Sequence, residues 1–500
     1  MIEFNTPDVR VYLAAAGSGK THQLMDEMVT LLQTYRPDEI AFVTFTRKGV
    51  ANGIERALAS NPHLREDDLV HFKTLHAMAF RETELKHVNI IERADIQRFN
   101  ELLGFDVRFA ESFENSSEDD KLLQRYDAVR SRSRKGVYVE RAFDEERYDR
   151  LVSAYETFKK ENNLVDFYDC LIRFKERGKA IPVRVALIDE AQDLTPLQWE
   201  VCEIAFSLCE KVRISGDDFQ SLFSYSGASP ETLIEMAGRY ECVKLEHSYR
   251  LPRAVYAFAR GITDMIQEKV DKESVPIKDE EGFVKLIADR SSLCRIIRDD
   301  LETCGYAPNR WYLLFRNNCF ISDITAMLEQ FTIPYHTAQG FCVGNRDIAK
   351  VRRYFNYRKT GYSTEVSKQQ FCEYNQIKDL EADFTESALI PGEDRYVIKD
   401  YVDRFGIDRL EELAKASPSV YASTPYRVKG GEADFSVVFL DCTRLVSENA
   451  TVNLDEELRV LYVACTRARH GLYLVPSIGR YGLDNIVELV KEVVDANVWS

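Results

Sequence analysis

Val11-Tyr12-Leu13-Ala14-Ala15-Ala16-Gly17-Ser18-Gly19-Lys20-Thr21 leads into a stretch with Leu24, Met25, Met28, Leu31 and Leu32 at helical spacing. The short apolar run reads as a buried strand, and the residues recurring every three to four positions read as one face of a helix. Small residues between them form a tight loop. In such a loop, backbone N–H groups close around phosphate oxygens, and the helix N-terminus adds a favourable dipole. Lys20 would neutralise β/γ-phosphate charge and Thr21 would ligate Mg²⁺. Ala14 stands where the strict pattern has Gly. A chance Gly-Lys-Thr in a loop is the competing explanation, and the strand before and helix after it weigh against that. Ala16, Gly17, Ser18, Gly19, Lys20 and Thr21 are therefore candidate nucleotide-binding residues.

Outward from this unit, similar apolar runs recur at Ile40–Phe45, Val185–Ile188, Val212–Ser215, Tyr312–Phe315, Val437–Leu440 and Leu472–Val475. Continuous apolar strands alternating with helical patterns predict an α/β protein with parallel sheets buried on both faces. Two of these runs end in chemistry. Asp189-Glu190 closes Leu187-Ile188: a strand-end carboxylate can hold Mg²⁺ and its neighbour can activate water. An isolated Asp-Glu pair is usually just solvated, but this one follows a phosphate loop. Asp189 is the candidate metal ligand, with Thr21, and Glu190 the candidate base. Ser215-Gly216-Asp217-Asp218-Phe219-Gln220 ends the next strand, placing Gln220 to hydrogen-bond a γ-phosphate. Phe223 and Tyr225 follow at alternate positions and suggest base stacking, although two aromatic rings alone are more often core. Far along the chain, Arg467 in Tyr462-Val463-Ala464-Cys465-Thr466-Arg467 could bring a guanidinium to the γ-phosphate. A helical Arg alone is more often a surface ion-pair partner.

The 500 residues, 45% hydrophobic, are too many for one core and too apolar for general disorder. No run approaches the length needed to span a bilayer, and the first residues lack a secretory pattern. Eleven scattered cysteines without a CxxC argue against zinc or a disulfide framework, so free thiols in a cytoplasmic protein are expected. The net charge of −16 speaks naively against a nucleic-acid partner. However, residues 101–120 hold 7 acids and 1 base, and residues 365–412 hold 13 acids and 6 bases, which leaves only −3 on the other 432. Both stretches fall in polar, helix-patterned segments, 85–160 and 355–415, that read as insertions. Arg130-Ser-Arg-Ser-Arg-Lys135 reads most simply as a solvated basic loop.

Taken in order, these segments resemble the UvrD/Rep/PcrA-like branch of superfamily 1 DNA helicases. Ala14–Thr21 resembles motif I, Phe42–Lys48 motif Ia, Thr74-Leu75-His76 motif Ib, and Asp189–Gln198 motif II. Leu164–Asp169 is similar to the segment that re-enters the first motor domain. Gly216–Ala228 resembles motif III, Ser248-Tyr249-Arg250 motif IV, and Leu313–Arg316 its companion strand. Thr424–Phe435 resembles motif V and Glu456–Ala468 motif VI. The resemblance implies two RecA-like P-loop motor domains with ATP between them: 1A at 1–84 and 161–245, 2A at 246–354 and 416–500. Insertion 1B would occupy 85–160. A reduced 2B would occupy 355–415, because the gap from Arg316 to Thr424 is short for this family.

The resemblance further implies ATP and Mg²⁺ as cofactors, with Lys20, Asp189, Glu190, Gln220, Arg250 and Arg467 as the hydrolytic set. Tyr249 would stack on adenine, Glu432 would lie near the nucleotide, and His22 stands where the family commonly has Arg. Phe45, Thr74, His76, Phe223, Tyr225, Thr424 and Lys429 would line the path of single-stranded DNA. The activity implied is ATP-driven 3′–5′ movement on single-stranded DNA with strand separation at junctions. The alternatives are a translocase that remodels protein–DNA complexes with little unwinding, and a non-catalytic DNA-binding subunit. The acidic insertions could receive a basic protein partner.

Overall fold

The computed structural model of the chain describes residues 2–83, 89–108, 116–131, 144–224, 227–360, 390 and 394–493. It forms two compact units. One comprises Met1–Leu251, Ile262–Asp279 and Val452–Val463; the other comprises Pro252–Gly261, Glu280–Thr451 and Ala464–Ser500. The first unit thus runs past the expected boundary at 245 and takes in Val452–Val463, which the resemblance had placed in 2A.

The first unit is built on strands β1 (Val9–Ala14), β2 (Ile40–Thr44), β3 (Phe72–Thr74), β4 (Val185–Ile188), β5 (Lys211–Gly216) and β6 (Glu241–Leu245). They form one sheet in the order β3-β2-β4-β5-β1-β6, and every pairing is parallel. Alternate residues of a strand enter different cores. Val9, Val11 and Leu13 of β1 join Ala41, Val43, Ala186 and Ile188 on one face. Tyr12 joins Ile40, Phe42, Val185 and Leu187 on the other, together with Leu24, Met25, Met28 and Leu31 of the helix Lys20–Leu31. A strand covered on both faces has no polar side to write into its sequence, which is why the runs read as continuous apolar stretches.

The segment 85–160 is mostly helical where described, in Arg93–Leu103, Glu118–Arg130 and Glu145–Glu161, with a short strand at Asn89–Ile90 that pairs with Leu164–Val165. These helices share a core of their own around Phe99, Leu151 and Tyr155. The basic-loop reading of Arg130 needs correcting. Its guanidinium is largely buried and pairs with Asp127 and Asp166, each at 2.7 Å, and with Asp169 at 3.0 Å. Burying that charge is tolerable only because carboxylates surround it. Residues 132–135 lie outside the described residues.

The second unit carries β7 (Phe283–Leu286), β8 (Trp311–Phe315), β9 (His336–Thr337), β10 (Gly340–Phe341), β11 (Val420–Ser423), β12 (Ala433–Phe439) and β13 (Ala468–Val475). Their order is β7-β13-β12-β8-β11-β9-β10, parallel except for the β9–β10 hairpin. Trp311, Leu313, Phe315, Val437 and Phe439 fill one core. The described parts of 355–415 continue the helix Asn345–Thr360 and form Asp394–Lys415, which breaks at Gly406 with φ 72°. The fold is thus α/β with parallel sheets and helical insertions, as expected. Among the described residues no helix is long and apolar enough to cross a membrane, and the ten described cysteines are free.

Candidate nucleotide site

In the first unit the carboxyl ends of β1, β4 and β5 open onto the phosphate-type loop, Asp189-Glu190 and Asp217–Gln220. This is the edge of a parallel sheet where ligands bind. Gly17 and Gly19 take left-handed φ of 77° and 74°, and Gly19 caps the helix that starts at Lys20. At Gly17 a side chain is excluded twice, by that φ and because a Cβ would stand 2.6 Å from Arg250 Cβ. The loop is fixed from outside by three contacts. Ala16 N–H donates to Tyr462 Oη at 2.8 Å, Ser248 Oγ donates to Ala16 O at 3.0 Å, and Tyr249 N–H donates to Gly17 O at 2.9 Å. Tyr249 is exposed over Gly19. Ser18 Oγ is buried and makes no hydrogen bond, an unmet polar atom of the kind a phosphate oxygen satisfies.

Lys20 Nζ lies 2.7 Å from Glu190 Oε2, and Thr21 Oγ1 donates to Asp189 Oδ2 at 3.2 Å. Burial opposes the Lys20 charge, but Glu190, Asp189 and Asp217 outweigh it and hold its pKa above the usual lysine value. Burial, reinforced by the Glu190 charge and opposed by Lys20, pushes Asp189 up to about 6. A carboxylate this reluctant to ionise gains from a cation, and with the Thr21 hydroxyl beside it the pair fits Mg²⁺. Glu190 holds a left-handed φ of 54°, a conformation costly for a side chain and typical of functional turns. His22 is exposed and faces Asp26, with Nε2 3.3 Å from Oδ2.

A buried relay joins these groups to Gln220. Gln192 is fully buried. Its Nε2 donates to Glu190 Oε2 at 2.5 Å and its Oε1 accepts the Asp217 N–H at 3.0 Å. Gln220 Nε2 donates to Asp217 Oδ2 at 2.7 Å. Lys272 lies 3.1 Å from Asp217 Oδ1, also pairs with Asp218, and stands 3.8 Å over the Phe219 ring. Arg459 Nε donates to Asp218 O at 2.9 Å. Sequence reasoning missed Gln192, Lys272, Arg459 and Tyr462 as site residues. Gln192 and Asp217 stood inside quoted motifs. Nothing local signals Lys272, which meets Asp217 across 55 positions.

Of the proposed strand contacts, Phe45 and Phe223 stack with centroids 5.2 Å apart. Thr74 spends its hydroxyl capping a helix, accepting from Ala77 N–H at 3.3 Å. His76 packs edge-on against Phe167, and burial pushes its imidazole down to about 4. Tyr225 lies outside the described residues. In the second unit Arg467 is buried and donates to Gly431 O at 2.9 Å. Glu432 pairs with Arg469, Thr424 is buried, and Lys429 is half-buried.

A parallel sheet with a glycine loop after its first strand, an Asp-Glu pair after another and a strand between them defines the class of P-loop nucleoside-triphosphate-binding proteins. The UvrD/REP helicase N-terminal domain family matches residues 5–241 and the UvrD-like helicase C-terminal domain family matches 419–475. The chain belongs to the UvrD/Rep helicase family. It is similar to the ATP-dependent DNA helicase Rep of Buchnera aphidicola (subsp. Baizongia pistaciae), at 24% identity over 65% of this chain and 52% of that one. Rep of Escherichia coli K12 is 26% identical over 50% and 40%, and UvrD2 of Mycobacterium bovis is 24% identical over 68% and 54%. The chain spans about half the length of these curated relatives. Among solved structures, the PRRSV helicase aligns with 96% of this chain and 54% of its own at 11% identity and a TM-score of 0.34.

Proposed function

We propose that this chain is an ATP-driven motor on single-stranded DNA that moves 3′–5′ and separates strands at junctions. The observation that carries the reading is the joining of Lys20, Thr21, Asp189 and Glu190 at adjacent strand ends, linked through Gln192 to Gln220, in a member of the UvrD/Rep family. Ala16–Thr21 would hold the phosphates, and Tyr249, exposed over Gly19, would face the adenine. Thr21 and Asp189 would hold Mg²⁺, which when bound supplies charge neutralisation to the transferring phosphoryl group. Glu190, oriented by Lys20 and Gln192, takes the proton of the attacking water. Gln220 is positioned by Asp217, so a change at Gln220 is transmitted to the segment ending in the Phe45–Phe223 stack. Arg250 and Arg467 are proposed as the guanidinium donors to the developing charge, and Glu432 as a nucleotide-side residue. Phe45, Thr74, His76, Phe223, Tyr225, Thr424 and Lys429 are the proposed strand contacts, with 1A, 1B, 2A and a reduced 2B as the domains and the cytoplasm as the working compartment.

Lys20→Ala is expected to abolish DNA-stimulated ATP hydrolysis; undiminished turnover would sink the assignment. The short segment 355–415 favours a second reading, a translocase that clears proteins and unwinds little. Strand displacement from 3′- and 5′-tailed duplexes, run beside streptavidin displacement, separates the two.

A further inference from the structure

Asp189 is the carboxylate through which the proposed Mg²⁺ would be held, and its two oxygens differ. Oδ2 accepts from Thr21 Oγ1. Oδ1 is buried and makes no hydrogen bond among the described residues. The neighbouring strands determine what that oxygen faces. In β2 and β4 the alternate residues Ile40, Phe42, Val185 and Leu187 point to the side of the helix Lys20–Leu31. Thr44 and Asp189 continue those two series. Asp189 N–H donates to Val43 O at 2.9 Å, so the pairing of β2 with β4 runs on to this level. On the other side of β4, Ile188 stands beside Ile214, which brings Ser215 level with Asp189. Ser215 lies on the same side of the sheet, since Arg213, two residues before it, pairs with Glu27 of that helix. The Ser215 hydroxyl acts against the burial that raises the Asp189 pKa, so it stands beside the carboxylate. Asp189 is therefore flanked by Thr44 and Ser215, both buried, and neither hydroxyl makes a hydrogen bond among the described residues. Three buried polar atoms without partners in one row are costly. Turning the two hydroxyls toward Oδ1 satisfies all three.

We infer that Thr44 and Ser215 are positioning residues that engage Asp189 Oδ1, leave Oδ2 alone for the cation, and so make the site select Mg²⁺ over Ca²⁺. Mg²⁺ is small, demands a near-octahedral shell and is commonly held through one or two carboxylates together with substrate phosphates. Ca²⁺ has longer bonds and readily takes both oxygens of one carboxylate. A carboxylate with one oxygen already engaged suits the first ion and penalises the second. Groups that orient a metal ligand tune affinity without touching the metal. The inference rests on the proposed Thr21–Asp189 metal site and adds a source of ion selectivity to it.

The test uses the full chain with ADP and measures metal binding rather than turnover. Bound Mn²⁺ is taken from the loss of its free EPR signal, beyond that held by ADP alone, while Mg²⁺ or Ca²⁺ is titrated in as competitor. Wild type should release Mn²⁺ to Mg²⁺ at about tenfold lower concentration than to Ca²⁺. Ser215→Ala should weaken Mn²⁺ binding about tenfold and shrink the Ca²⁺-to-Mg²⁺ ratio about threefold, the low end for losing a group that orients a ligand. Thr44→Val should do the same, whereas Thr44→Ser, which keeps the hydroxyl, should stay close to wild type. A role in packing alone would move the two Thr44 variants together and leave the ratio at its wild-type value. An unchanged ratio in Ser215→Ala and Thr44→Val overturns the inference, as does an equal loss in both Thr44 variants or a wild type with no preference between the ions. Asp189→Asn checks the underlying site. If Mn²⁺ binding persists in that variant, or wild type binds none, the metal assignment fails and the inference with it. Binding that depends on Asp189 but ignores both hydroxyls sinks the inference alone.

Discussion

Gln192 touches both halves of the hydrolytic apparatus through one side-chain amide, the Glu190 carboxylate on one side and the Asp217 backbone on the other. Replacing it with Ala removes the donor that orients Glu190 and leaves a buried N–H unpaired. By analogy with the loss of groups that orient ligands and bases, kcat of DNA-stimulated ATPase should fall about 10- to 100-fold. The KM for ATP should move little, since the loop around Lys20 is held by Tyr462, Ser248 and Tyr249 instead. Steady-state kinetics would show the split, and a purely structural role would lower the active fraction without changing the ratio.

His76 gives a second residue-scale test. Burial holds its imidazole at about 4, below the ordinary value near 6.5. The folded state therefore declines a proton that the unfolded chain accepts. Stability is complete above about pH 6.5 and drains as pH falls toward 4. The loss is at most about 3 kcal/mol for a shift of this size, and less here because the ring is partly exposed. His76→Asn should flatten the urea midpoint between pH 7 and 5; an unchanged slope would refute the assignment. The same shift leaves His76 a neutral imidazole at pH 7, the form in which it would meet the proposed DNA strand.

At the scale of elements, Lys272 ties the Asp217–Gln220 turn to the segment after it. It is 2% exposed and its ammonium faces two buried carboxylates. Removing one partner of such a cluster leaves uncompensated charge, at a cost of about 3–5 kcal/mol. Lys272→Met, which keeps the stem over Phe219, should lose most of that in urea unfolding, and adding Asp218→Asn should recover part of it. A loss below about 1 kcal/mol would show that the triad is no stronger than a surface ion pair.

These elements also show what a sequence displays and hides. Strands β1, β2, β4, β5, β8, β12 and β13 were legible because each contains a mostly buried run in which apolar residues predominate. Edge strand β6, Glu241-Cys242-Val243-Lys244-Leu245, is largely half-exposed, and β9 and β10 are two residues each; neither carries a pattern. The glycine loop was legible because its chemistry is contiguous. Lys272 and Gln192 were not, because each acquires meaning only from partners that topology supplies. Arg130 misled because the basic residues after it look solvated, whereas its partners Asp166 and Asp169 lie 36 and 39 positions away.

At the scale of the whole molecule, the charge of −16 and a polyanionic partner are compatible because the acids are localised and partly spent. Residues 101–120 and 365–412 leave the rest near −3. Inside them, Asp119 is held by Arg147, Asp106 by Arg108, and Asp408 and Glu411 by Arg352. On the proposed reading, a strand would meet the nearly neutral remainder of the chain, where local cations can decide binding. If phosphate contacts by residues such as Lys429 dominate, affinity must fall with salt. On logarithmic axes the slope should be about −0.7 for each neutralised phosphate of a single strand. Lys429→Ala should make that slope shallower by about 0.7 and weaken binding alike on all sequences. Were the global charge in control, added salt would screen repulsion and affinity would rise. Anisotropy titrations of one labelled strand across a salt series decide between these opposite signs, and the Lys429→Ala series locates one of the cations responsible.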